Sequence, residues 1–551
     1  MQRIAVFAVV LGYASAQVRG QSAPDLSAVH QIKTEAFQNS KVMDHLEYLS
    51  DLYGPRLTAS PEWQEAAQWA MKELKSYGVE NVHEEKWGPF GRSWSVESYT
   101  ADMIAPRYSH LVAAPLAWSS STNGPETADA LYAPLTIGRW YEFKKNRENL
   151  EKYKTEWHGK LKGKVVLLTE LKETKAPTTP VFTRYTDAQL ADIAKAPTPA
   201  IRRNLTIDQV DIPSDPKEAE KYLDTLPNEL LNALYEKYDE FSADLGALLK
   251  EEGALAVFRG DRRSHDGILN AEDAGSYSAK RPMAPPTFVV TDEQYSRMVR
   301  LLQKKVAVNV RFELRAKVSS GDVDAANILG EIPGKKKPNE VVMIGAHFDS
   351  WHSGTGAIDN GAGSAVMMEV MRILKKLNLP MDRTVRIGLW SGEEQGLFGS
   401  RAYIKMHFAD VKTAEIRAEH SQLDAYLNLD NGSGKIRGIY LENNDAARPL
   451  FEAWLAPFRD LDVTTISMQR TFGTDHQSFD DAGLPGFQFI QDPLDYETLT
   501  HHSDVDTYSH AVEEDLMQAS AVIASLVYDI ANREEMVPRK SIVKDGKLLS
   551  Y

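Results

Sequence analysis

From Asn327 onward the sequence alternates short apolar runs with longer helix-patterned ones, and this alternation limits the fold more than any other feature of the chain. Val341-Val342-Met343-Ile344 and Thr384-Val385-Arg386-Ile387-Gly388-Leu389-Trp390 read as buried strands, while Gly363 to Leu377 and Gly399 to Met406 read as helices. Strands separated by helices predict an α/β fold with a mixed, largely parallel sheet flanked by helices. Ligands of such sheets gather beyond the carboxyl ends of the strands, so chemistry is expected in the loops that follow them.

Those loops carry a consistent set of side chains. His347-Phe348-Asp349-Ser350 follows the first strand, and Asp349 stands two residues from an imidazole whose second nitrogen needs a partner if the first binds a metal. A glycine-rich turn from Gly356 to Gly363 presents Asp359 just before a helix; without a Gly-Lys-Ser/Thr ending it is not a phosphate loop. Trp390-Ser391-Gly392-Glu393-Glu394-Gln395 places two adjacent carboxylates at a strand end. Side by side they repel unless a cation neutralises one, and a metal does so when one Glu ligates and its neighbour stays free as a base. Tyr426-Leu427-Asn428-Leu429-Asp430 reads as another strand ending in a carboxylate, and His501-His502 lie in the polar loop Thr500 to Thr507.

Singly, each piece has a bland reading: a satisfied core histidine, a capping aspartate, an exposed acidic loop. Together they offer imidazole and carboxylate donors, which suit paired zinc better than magnesium or calcium. The chain has no cysteine, which excludes thiolate ligands, disulfides and a cysteine nucleophile. Ser350, Ser391 and Ser503 lie in no nucleophile elbow. Met367, Met368 and Met371 read as core filler, and His476 as a lining or supporting residue.

The 551 residues predict roughly two to four structural units. A formal charge of -15 argues against a nucleic-acid partner, because such binding draws on clustered Lys and Arg. Met1-Gln2-Arg3, the apolar run Ile4 to Leu11 and Ala14-Ser15-Ala16 have the layout of a secretory signal, with cleavage expected after Ala16. That run is too short to span a bilayer, so a secreted or periplasmic protein with no membrane span is expected. Asn204-Leu205-Thr206 is a glycosylation sequon if the host is eukaryotic.

The order His347, Asp359, Glu393-Glu394, Asp430, His502 resembles that of the co-catalytic zinc peptidases of family M28. The likeness runs through most of the chain, from Gly54-Pro55-Arg56-Leu57 through His347 to Trp351, Gly473-Thr474-Asp475, His501-His502-Ser503 and Asp506-Thr507 to Glu534 to Arg539. The resemblance implies the zinc-exopeptidase fold with an inserted strand-rich protease-associated domain. It places residues 1–16 as a signal peptide, 17–115 with 320–537 as the catalytic domain and 116–319 as the insertion. Within the insertion, the helix-leaning stretch 178–240, interrupted by prolines, has no counterpart in the resemblance; residues 538–551 form a tail.

The resemblance further implies two Zn2+ per chain. Asp359 bridges both, His347 and Asp430 complete one, Glu394 and His502 complete the other, Glu393 is the general base, and His501 helps stabilise an oxyanion; Asp349, as the partner of the His347 ring, counts with the catalytic residues. The implied reaction is hydrolysis of short peptides or dipeptides, of carboxypeptidase or dipeptidase type, with an aminopeptidase as the alternative. Two rivals are a receptor-like protein of this fold without catalysis and a single-zinc acyl transferase resembling glutaminyl cyclases. A peptide substrate is implied, with room for a homodimer. Asn431-Gly432 after Asp430 and His352 after Trp351 depart from the family pattern.

Overall fold

Alternate residues of the strand Lys337–His347 face opposite ways, and both ways lead into a core. Val342, Ile344 and Ala346 pack with the helices Ala362–Leu377 and Glu513–Asn532, while Val341 and Met343 pack with Tyr403, Phe408 and Phe479. A strand covered on both faces reads as a continuous apolar run, which is why no period-two alternation marks it in the sequence. Each fully buried Val or Ile here stabilises the fold by about 1.5–3 kcal/mol. Met367, Met368 and Met371 are fully buried in the same core.

The computed structural model describes residues 23–171, 178, 180–198, 201–202, 205–261, 263 and 267–540. The expected signal peptide, Asn204 of the sequon and residues 541–551 of the tail lie outside them. No helix among the described residues is long and apolar enough to cross a membrane.

Eight strands form the first sheet, in the order Glu80–Gly91, Val323–Ile332, Arg383–Trp390, Lys337–His347, Leu423–Asn428, Gly486–Gln491, Ile436–Tyr440 and Thr465–Ser467. From Arg383–Trp390 to Gly486–Gln491 the neighbours run parallel; the pairs outside them are antiparallel except the last, where Thr465–Ser467 runs parallel to Ile436–Tyr440. This is the mixed α/β sheet expected from the alternation after Asn327. His347 pairs with Trp390, and Gly345 with both Gly388 and Asn428, so these strands end level with one another. Their following loops therefore share one edge.

A second eight-stranded sheet has the order Ser109–His110, Trp94–Ala105, Asn309–Val318, Glu126–Leu135, Val165–Thr169, Ala256–Gly260, Thr287–Val290 and Ala113–Pro115. It begins earlier in the chain than the boundary expected at 115/116. Only Arg92 and Ser93 separate Glu80–Gly91 in the first sheet from Trp94–Ala105 in the second, and the latter pairs along its length with Asn309–Val318. The expected boundary at 115/116 falls inside the second sheet rather than at its entry, since Ala113–Pro115 already pairs with Thr287–Val290. The chain returns to the first sheet between Val318 and Val323.

The helix-leaning stretch contains the helices Asp187–Lys195, Pro216–Leu223 and Asn228–Glu251. The last crosses the expected end of the stretch at 240 without a break, because no Pro follows Pro227 within it and its one glycine, Gly246, is packed inside the helix. Its second half buries Phe241, Leu245 and Leu249 against Val166, Leu168 and Val257 of the second sheet. Its first half buries Leu230, Leu231 and Leu234 against Tyr141, Val210 and Leu226. Ionic contacts tie the stretch to the first unit: Arg184 lies 2.9 Å from Asp492 and 2.7 Å from Asp515. Nearby, Asn228 Nδ2 donates to Asp481 at 2.7 Å and Ser467 Oγ to the Ile193 carbonyl at 2.8 Å.

Candidate metal centre

The level ends of three neighbouring parallel strands bring His347, the Glu393-Glu394 pair and Asp430 to one place, and the loop after the fourth adds His501 and His502. The strand Leu423–Asn428 stops before Asp430, so that carboxylate stands just past the strand end and is buried there. Gly392 makes the turn that presents the two glutamates. Its φ is +70°, and a Cβ would sit 2.8 Å from the Trp87 ring, so only glycine fits.

Asp359 occupies the middle. Its Oδ1 is 3.2 Å from His347 Nε2, and its Oδ2 is 3.5 Å from His502 Nε2. On the first side Asp430 Oδ1 lies 3.5 Å from His347 Nε2; on the second, Glu394 Oε2 lies 3.0 Å from His502 Nε2. His347, Asp359 and Asp430 can each turn one donor atom to a common point. Asp359, His501 and His502 can do the same, so the geometry offers His501 where the sequence offers Glu394. Chemistry separates these two. Arg263 Nη2 donates to His501 Nδ1 at 3.1 Å, and since a guanidinium can only donate, the proton of a neutral His501 sits on Nε2. That leaves His501 no lone pair to ligate with, and it points a donor instead. Burial, followed by the charge on His502, holds its pKa down at about 3, so it is neutral.

The other histidines are held in the opposite tautomer. His347 Nδ1 donates to the Asp349 carbonyl at 3.0 Å, and His502 Nδ1 is 2.7 Å from Glu272 Oε1, leaving each Nε2 free to face the centre. In sequence terms Asp349 looked like the partner of the His347 ring, but its carboxylate is 3.7 Å from Nδ1 and serves elsewhere. It accepts from Thr58 Oγ1 at 2.8 Å and from the backbone N–H groups of Glu393 and Glu394 at 3.3 and 3.4 Å. Asp349 thus orients the loop of the paired glutamates. Asp506 does the same for Asp359, accepting from the N–H of Ile358 at 2.6 Å and of Asp359 at 3.2 Å.

Glu272 and Arg56 carry parts of this site that sequence reasoning did not assign. Glu272 comes from the segment between two strands of the second sheet, far from His502 in the chain, and no local spacing announces it. Arg56 is fully buried and donates to the carbonyls of Phe348, Leu49, Thr355 and Gly356. It clamps the loop that runs from His347 to Asp359; burial lowers its pKa to about 10. The Gly54-Pro55-Arg56-Leu57 signature pointed to the residue but not to this role. His476 is fully buried beneath the neighbouring loop, with Nε2 2.9 Å from Thr471 Oγ1, and lines nothing.

Charge accounts for what these residues can bind. Asp359, Asp430, Asp475 and Asp506 are all buried, and of these Asp359 and Asp430 face one space together with the Glu393 and Glu394 carboxylates. Burial pushes Glu393 well above the ordinary carboxylate range and Glu394 up to about 7. Asp359 Oδ2 and Glu394 Oε1 have no hydrogen-bond partner. Buried, unpaired carboxylate oxygens beside two free imidazole nitrogens fit a divalent cation with mixed nitrogen and oxygen preference, such as zinc.

Above the centre lies a cavity of about 740 Å3. One wall is a single face of the helix Asn228–Glu251, which presents Asn232, Tyr235, Glu236, Asp239 and Ala243 at helical spacing. Trp351, Phe398, Phe472 and Tyr496 supply its apolar surface.

Residues 327–527 match the sequence model of peptidase family M28. Carboxypeptidase Q of Rattus norvegicus is 32% identical over 254 residues, which cover 46% of this chain and 51% of that protein. The chain therefore spans about half the length of the curated relatives it matches. Among solved structures, the peptidase M28 precursor of Shewanella amazonensis SB2B superposes with a TM-score of 0.63 at 23% identity, covering 94% of this chain and 98% of the other. The zinc aminopeptidase BSAP of Bacillus subtilis gives a TM-score of 0.51 at 18% identity, covering 92% and 97%. At these identities the two structures speak for the fold.

Proposed function

With a peptidase family M28 domain in residues 327–527, we propose that the chain is an exported two-zinc exopeptidase that hydrolyses short peptides or dipeptides, of carboxypeptidase or dipeptidase type. The observation that carries this reading is the placement of Asp359, with one oxygen toward His347 and the other toward His502. One carboxylate shared by two donor sets is what a bridging ligand requires. His347 and Asp430 complete one set, Glu394 and His502 the other. Around this centre, the first sheet with its helices forms the peptidase unit, and the second sheet with the helical stretch forms a unit inserted in it.

Zinc held there supplies a Lewis acid for the scissile carbonyl and lowers the pKa of the attacking water. Glu393 accepts a proton from that water as its oxygen bonds to the carbonyl carbon. The same proton then passes to the leaving nitrogen as the C–N bond breaks, which regenerates the Glu393 carboxylate. His501 directs its Nε2 proton toward the oxygen on which negative charge develops. Asp349 fixes the backbone that carries Glu393, and Trp351, edge-on to His502 at 5.9 Å, helps exclude water.

Digestion of free and end-blocked dipeptides by the zinc-loaded protein tests the activity. Hydrolysis of dipeptides and release of carboxyl-terminal residues are expected. Release from the amino end alone supports the alternative, an aminopeptidase, the activity named for the Bacillus subtilis structure; no hydrolysis of any peptide sinks both.

Glu272 gives a second expected outcome. Its bond to His502 Nδ1 keeps the ring's ligating nitrogen unprotonated and aimed. Glu272→Gln is expected to weaken zinc binding about 10–100-fold in competition with a chromophoric chelator. Unchanged affinity removes Glu272 from the centre.

A further inference from the structure

The cavity over the candidate metal centre is acidic on most sides and, among the described residues, holds one arginine without a partner. Two arginines line it. Arg281 is ion-paired with Asp244, whereas Arg401 has neither an ion pair nor a side-chain hydrogen bond among the described residues. Arg401 lies in the helix Phe398–His407, which follows the Glu393-Glu394 turn, and is partly buried. Burial lowers its pKa, while Asp481, Glu236, Asp475 and Glu393 raise it only through space. A guanidinium presents its donors as a planar fork that matches a carboxylate. Withdrawn from water and left without a partner, it costs stability, and a ligand's anion offsets that cost.

A second observation points the same way. Gln395 is 9% exposed and lines the same cavity, yet neither its Oε1 nor its Nε2 has a hydrogen-bond partner. Buried amides are nearly always paired, and this one adjoins the glutamate pair. It offers one acceptor and one donor to a passing main chain. Elsewhere the walls repel anions: Glu236, Asp239 and Glu240 on the helix Asn228–Glu251, and Asp273 and Glu497 beyond it. Among the described lining residues, Arg401 is the cation left to meet a negatively charged group away from the metal-facing side chains.

We propose that Arg401 anchors the free terminal carboxylate of the substrate's leaving residue and that Gln395 holds the adjacent peptide main chain. Substrates that end one residue beyond the scissile bond are then preferred to end-blocked ones. This rests on the peptidase reading of the site and names the side chains that would make it a dipeptidase or carboxypeptidase.

The test uses leucyl-leucine and leucyl-leucinamide with the zinc-loaded wild type, Arg401→Met and Arg401→Lys. The wild type is expected to favour the free acid about 10–100-fold in kcat/KM, mainly through KM, as loss of one charged bidentate contact implies. Arg401→Met collapses that preference toward unity, and Arg401→Lys restores part of it. Equal use of acid and amide by the wild type, or a preference that survives in Arg401→Met, overturns the assignment. If neither compound is hydrolysed, the peptidase reading fails by itself, and calorimetric binding of the same two ligands decides the anchor. Binding of the acid above the amide, lost in Arg401→Met, upholds Arg401; equal binding rejects it.

Discussion

Glu393→Gln protein, loaded with zinc, is expected to keep its metal and its KM while kcat for dipeptide hydrolysis falls on the order of 10³–10⁴-fold. Glutamine has the shape of glutamate and preserves the cavity, but it cannot accept a proton. The loss belongs in kcat because proton transfer takes place in the transition state, not on binding. Zinc content measured on the assayed sample separates this outcome from simple metal loss. A variant with both metals and near-normal turnover would remove Glu393 as the base and point to another group of the cavity.

Removing Asp359 has the largest expected effect on the centre itself. Its two oxygens face the two donor sets, so Asp359→Ala takes a ligand from both at once. Zinc content after dialysis is expected to drop from about two per chain to near zero, with hydrolysis lost alongside it. Asp430→Ala serves as the contrast, because Asp430 faces His347 alone and the Glu394 and His502 side keeps its ligands. If Asp359→Ala retains one tightly held zinc and Asp430→Ala retains none, the bridge is misassigned. Apart from its lost ligand, the Asp359 loop stays clamped by Asp506 and Arg56, so the fold should survive the change.

The legible parts of this protein are those whose causes are local. His347, Asp359, Glu394 and Asp430 each follow a strand or precede a helix, and apolar patterning places strands and helices well. The tautomers of His501 and His502 are set by groups that no spacing reveals. Asp349 sat beside His347 in sequence and looked like its ring partner, yet the chain turns so that its carbonyl meets the ring and its carboxylate meets the glutamate loop. Glu272 and Arg263 reach the histidines from the second sheet's connections, and only tertiary packing brings them there.

Boundaries suffered for a related reason. The turn at Arg92-Ser93 passes from one sheet to the other without a loop rich in Gly or Pro, so nothing in composition marks it. The Ser-rich loop from Ser119 to Gly124 falls within the second unit, between two of its strands. The helix Asn228–Glu251 runs through 240, and its two halves pack on different partners. That same helix turns a polar face to the cavity, which makes the helix-leaning stretch a wall of the site.

Crystals of the zinc-loaded protein, with anomalous scattering recorded above and below the zinc edge, test the shared-carboxylate centre most directly. Two peaks about 3.5–4 Å apart are expected, one on each side of Asp359, the first beside His347 and Asp430 and the second beside Glu394 and His502. A single peak, or a second one bound by His501 in place of Glu394, contradicts it.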